Sequence, residues 1–154
     1  MRQYDKAIDQ LRKVLDLEPN FHRAHYHLAW ALMHESMYES AIREMQKAIE
    51  FSSPSVDYIS GLGYAYALAG RTGDAVKILE ELKEKKKNGF ISSYWLSQVY
   101  IGLGNRGKAM EYLLKSVESH DFPSLPIGIN DPIFDDLRSD PRFKEIKRRM
   151  NLPQ

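Results

Sequence analysis

Alanine recurs as Ala7, Ala41, Ala75 and Ala109, a step of 34 residues kept without slippage. Leu11, Met45, Leu79 and Leu113 keep the same step, as do Leu28, Leu62 and Leu96. Leu32, Tyr66 and Tyr100 form a further column, and Val14, Ala48 and Leu82 another. A period of this length means one supersecondary unit repeated, with each copy completing its core on its neighbours. Within a unit, Leu28, Ala29 and Leu32 lie on one helical face, and Ala41, Met45 and Ala48 on another. Short turns, ESMY, AGRTG and GNRG, separate the two halves. Each unit therefore reads as an antiparallel helical hairpin, and the stack as an all-α solenoid. The small residues at 7, 41, 75 and 109 let helix backbones approach closely.

Composition narrows the function classes. The 154 residues are 43% hydrophobic and 28% charged, enough for one folded domain. Lys plus Arg is 22 and Asp plus Glu is 21, so electrostatics gives no reason to expect a nucleic-acid partner. There is no cysteine, which removes disulfides, thiolate metal sites and a cysteine nucleophile. No apolar run approaches the roughly 20 residues of a membrane helix, and the start, MRQYDKAIDQ, is polar. A cytoplasmic protein with no membrane contact is the expectation.

The stretches YISGLGYAYALAGRTGDAVKILEEL and AIREMQKAIEFSSP resemble the tetratricopeptide repeat over residues 4 to about 119. The resemblance implies a right-handed solenoid with a C-terminal capping segment. It divides the chain into a half repeat at 1–21, repeats at 22–55, 56–89 and 90–120, and a cap at 121–154. His25, Ile59 and Ser93 stand where the family's first aromatic would be. The closing proline is present as Pro19, shifted by one at Pro54, and replaced by KKKNG in the third unit.

The stretch GLGNRG, residues 102–107, has the spacing of a dinucleotide-binding loop. Such a loop needs a strand before it, and here a helical stretch, SSYWLSQVYIGLG, precedes it. Gly104 falls in the turn column with Gly70 and Ser36, so the glycines serve a tight helix–helix turn. His22 and His25 are three apart on a helix, but no suitable carboxylate is local, and exposed polar groups at a helix start explain them. Neither a nucleophile–base pair nor a cofactor motif is present, so the chain is expected to be no enzyme, with no metal and no cofactor. Lys85, Lys86 and Lys87 suit a helix C-terminus, with Asn88 and Gly89 as its cap.

Both ends depart from the pattern. Residues 4–17 match a second helix whose first helix is absent, leaving the apolar face of Ala7, Leu11 and Val14 without its usual partner. Self-association, most simply a homodimer, would cover that face. At the other end, Asp131-Pro132 and Asp140-Pro141 are helix-starting steps. Phe143, Ile146 and Met150 form a stripe that, helped by Ile133, Phe134 and Leu137, would close the last hairpin. The phrase DPIFDDLRSDPRFKEIKRRMNLP also resembles the segment closing repeat blocks in certain bacterial signalling proteins. That implies the C-terminal regulatory part of a larger protein.

The first helices carry a second stripe: Arg23, Tyr26, Trp30, Met33 and His34; then Asp57 and Tyr64; then Tyr94, Gln98 and Ile101. In the family these columns line a concave groove for an extended peptide. Aromatic residues bury large area at little entropic cost, which suits recognition. The Lys and Asn of the family's carboxylate-gripping subtype are absent, since Tyr26, Ser60, Tyr94, Trp30, Tyr64 and Gln98 hold those columns. The resemblance thus implies a protein or peptide ligand of apolar or aromatic character.

Overall fold

The computed structural model describes residues 4–53, 55–89, 91–121 and 131–151. Pro54 and positions 122–130 and 152–154 of the expected cap lie outside them. The helices are α1 (Tyr4–Leu17), α2 (His22–His34), α3 (Tyr38–Glu50), α4 (Val56–Leu68), α5 (Thr72–Asn88), α6 (Ser93–Gly102), α7 (Arg106–Glu118) and α8 (Pro141–Arg149). A short 3-10 helix, Pro132–Leu137, precedes α8. Among the described residues there is no strand. The fold is an all-α solenoid in which α2/α3, α4/α5 and α6/α7 are the hairpins, and every substantial packing contact joins elements at most two apart.

The turn column is realised three times with one backbone solution. Ser36, Gly70 and Gly104 have φ of 58°, 74° and 69°. At each turn the following amide reaches back to a carbonyl five residues earlier: Met37 to Leu32, Arg71 to Tyr66 and Asn105 to Tyr100, all at 2.9 Å. This closure satisfies helix-end carbonyls and needs a left-handed residue. Ser36 is the member with a Cβ to accommodate, so Ser36→Gly is expected to raise stability by about 1 kcal/mol in urea unfolding.

Close packing explains the other small residues. Ala41, Ala75 and Ala109 are fully buried. A Cβ on Gly102 would fall 2.9 Å from the Ala67 methyl and 3.1 Å from the Tyr64 carbonyl. Gly102 therefore lets α6 lie directly against α4, and GLGNRG combines one close approach with one tight turn. The α5 terminus differs in detail from expectation. Asn88 does cap, its amide donating to the Glu84 carbonyl at 3.1 Å, but Gly89 is extended, with φ −173°.

Helix α1 is not left bare. Ile8 is buried, and Tyr4, Leu11 and Leu15 pack beside it against the α2–α4 core. This corrects the open face expected of Ala7, Leu11 and Val14. Leu11 is taken into packing and Ala7 is half-buried, while Val14 remains 37% exposed. At the opposite end, Ile133, Phe134, Leu137, Phe143 and Ile146 are buried with Met110, Leu113 and Val117 of α7. Asp131 and Asp140 cap as expected, accepting from the amides of Ile133 and Arg142 at 3.0 and 2.9 Å. Arg149 donates to Glu118 at 2.7 Å, tying α8 to α7.

Candidate partner-binding face

The first helices α2, α4 and α6 lie side by side, and their second stripe forms an aromatic ladder. Tyr26 meets Trp30 edge-on at 6.2 Å between centroids, and Trp30 stacks on Tyr64 at 5.6 Å and 25°. Trp30 and Tyr64 also pack against the C-terminal cluster containing Tyr94, Ile133 and Phe134. Tyr26, Trp30 and Tyr64 are half-buried, so each keeps an accessible edge. Burial pushes the phenols of Tyr26 and Tyr64 well above the ordinary tyrosine range, and that of Tyr94 up to about 12. These hydroxyls are neutral donors and acceptors at physiological pH.

Other members of the stripe turn inward. Met33, Tyr94 and Gln98 are buried, at 5%, 7% and 4% exposure, and offer no open surface. The Ser60 hydroxyl donates to Gln98 Oε1 at 2.8 Å, and Gln98 Nε2 donates to the Tyr94 hydroxyl at 3.2 Å. This polar chain joins α4 to α6 and satisfies groups that would otherwise be costly to bury. His34 stacks on Tyr4 at 4.3 Å and so belongs to the α1–α2 junction. Ile101 is half-buried against the C-terminal cluster, Arg23 is exposed, and half-buried Asp57 accepts from the Ser55 hydroxyl.

One contributor was not anticipated. Tyr58 stacks on Tyr26 at 4.6 Å, and its hydroxyl lies 2.9 Å from His22 Nδ1. Its column, Ala24–Tyr58–Ser92, is otherwise small, and a lone large aromatic there was the available signal. His22, Arg23, Ser52, Ser53, Asp57 and Tyr58 line a polar cleft of about 600 Å³ beside the ladder. Burial and the charge of Arg23 lower the His27 pKa, favouring its neutral form.

His25 departs from the exposed helix-start residue expected of it. It is 3% exposed. Nδ1 lies 2.6 Å from Glu44 Oε2, and Nε2 lies 2.8 Å from the Pro19 carbonyl. The carboxylate comes from α3, outside the local sequence. The Pro19 carbonyl can only accept, so Nε2 donates to it, while Nδ1 faces the Glu44 carboxylate. Burial acts to raise the Glu44 pKa, but hydrogen bonds from His25 and Lys47 outweigh it and hold the carboxyl below its ordinary value. These histidines fasten the α1–α2 turn and α4 to their neighbours.

Comparison with known proteins agrees with this architecture. Tetratricopeptide repeat family models match residues 1–57 and residues 92–119. A TPR repeat-containing protein of Methanocaldococcus jannaschii is 28% identical over 122 residues, 79% of this chain and 21% of that protein. The chain thus spans about a fifth of that relative's length. The crystal structure of MamA superposes with a TM-score of 0.53 at 20% identity, covering 95% of this chain and 85% of that one. Among the described residues no helix is long and apolar enough to cross a membrane. The 34-residue columns, the stacked hairpins and the two matched segments agree, and the chain belongs to the tetratricopeptide repeat family of protein-interaction modules.

Proposed function

We propose that this chain holds an extended segment of a partner protein against α2, α4 and α6. The observation that carries the reading is the run Tyr26, Trp30 and Tyr64, each ring in contact with the next yet only half-buried. Apolar and aromatic side chains of the segment lie along this run. Its polar groups reach Arg23 and Asp57 in the adjoining cleft, and Ile101 marks the far end. The buried Met33, Tyr94 and Gln98 act beneath this surface as supports. The reading also places the chain as the C-terminal regulatory part of a larger cytoplasmic signalling protein, on the resemblance of its closing segment.

Selection from a displayed peptide library on the immobilised chain tests the groove. Enriched peptides should carry aromatic or aliphatic residues at regular spacing. Trp30→Ala should then weaken the best peptide by about 2 kcal/mol, roughly thirty-fold, as titrated by fluorescence anisotropy. Unchanged affinity in a variant that keeps its helical circular dichroism would remove Trp30 from the interface. Loss of the helical signal would make it a core residue instead.

A further inference from the structure

Three of the six large apolar residues that stand exposed among the described residues, Val14, Leu17 and Phe21, lie within one stretch of eight. Leu17, the last residue of α1, is 84% exposed. Asp16 and Glu18 flank it, both exposed and neither ion-paired among the described residues. The end of α1 is thus an aliphatic knob between two unneutralised carboxylates.

A surface of opposite character lies further along the row. A cleft of about 380 Å³ has the half-buried Tyr112 ring as its apolar floor, over the fully buried Leu96, with Lys83, Lys86, Lys87 and Lys115 around it. The Tyr112 ring is held by stacking on Tyr100 at 5.4 Å, with the Lys115 ammonium 5.1 Å above its centre. The lysines already have carboxylate neighbours: Glu80 for Lys83, Asp121 for Lys86, Glu84 for Lys87 and Glu111 for Lys115. All four pairs are at least about a third exposed, and solvent-exposed pairs contribute little, so a second carboxylate can replace or share them.

We propose that the Leu17 knob of one copy seats in the lysine-rimmed cleft of a second copy. Leu17 meets the Tyr112 ring and the methylene stems of the lysines, and Asp16 and Glu18 meet the ammonium groups. Within one copy α1 packs substantially on α2 alone, while the cleft is built by α5, α6 and α7, so the occupant comes from another molecule. This assigns self-association to the end of α1 rather than to the Ala7–Leu11 face, and it does not depend on the groove reading. Because knob and cleft are different surfaces joined head to tail, an open row of copies always ends in one free knob and one free cleft. Growth therefore continues past two copies, unlike a two-fold dimer.

Sedimentation equilibrium over a wide concentration range at low salt tests it. The mass should rise from 17.9 kDa beyond that of a dimer, and should fall again in high salt, where exposed charges are screened. The double variants Asp16→Lys/Glu18→Lys and Lys86→Glu/Lys87→Glu should each remain monomeric. Mixed in equal amounts, they should recover association, because each reversed surface now meets a complementary one. Leu17→Ser should also abolish assembly, while Trp30→Ala should assemble as the parent does. A parent that stays monomeric or stops at two copies would overturn the proposal. So would charge variants that assemble unchanged, or a mixture that fails to recover.

Discussion

Phe134→Ala is expected to lower the unfolding free energy by about 3–5 kcal/mol in a denaturant titration. Phe134 is fully buried, with Tyr94 at 6.0 Å on one side and Phe143 at 6.3 Å on the other. It sits at the meeting of α6, α7, the 3-10 helix and α8, so no single element can collapse into the space left by its ring. A six-residue 3-10 helix has little stability of its own, and its apolar face is what holds it. The loss should therefore be uneven along the molecule. Hydrogen exchange should show the 3-10 helix, α8 and then α6–α7 losing protection while α2 and α3 retain theirs, as nearest-neighbour packing requires. Uniform loss of protection would mean that the array unfolds as one unit.

His25→Ala should cost about 2 kcal/mol at neutral pH, because it removes a buried ring together with its hydrogen bonds to the half-buried Glu44 carboxylate and to the Pro19 carbonyl. The Pro19 carbonyl loses its partner in the α1–α2 turn, and Glu44 keeps only Lys47 at 3.0 Å. The same carboxylate sets an acid limb. Its pKa is depressed in the folded state, so its contribution is fully present above the unfolded value of 4.5. That contribution is lost as pH falls through the lower folded value. Melting temperatures measured from pH 6 downward should decline less steeply in Glu44→Gln than in the parent. An unchanged slope would show that Glu44 titrates alike in both states.

The hairpins were legible because their columns repeat. One alanine at a helix crossing is ambiguous, but Ala41, Ala75 and Ala109 at a fixed step are a packing rule. The caps were legible because Asp131 and Asp140 act on their own turns. The candidate face was legible only as a set of positions. Tyr26, Trp30 and Tyr64 kept an accessible edge, whereas Met33, Tyr94 and Gln98 went inside. The reason is that each first helix in this stack packs on more than its own hairpin partner. A stripe facing away from its own hairpin can still face the next hairpin or, for Tyr94, the closing segment. The partner of Gln98 is 38 residues away at Ser60, and that of His25 is 19 residues away at Glu44. Neither distance leaves a mark in local spacing.

The one-dimensional packing also makes this molecule elastic. Apart from Trp30 against the C-terminal cluster, little bridges distant hairpins, so bending is resisted mainly at successive helix pairs. Small rotations at each pair add along the row, in the way a coil spring distributes its deflection over every turn. The relative tilt of successive hairpins is then a soft coordinate, whereas the internal geometry of each hairpin is stiff, braced by its alanine crossing and its left-handed turn. Under the proposed function, a partner segment of somewhat different length or bulk would be met by flexing the whole array a little, without breaking any one hairpin.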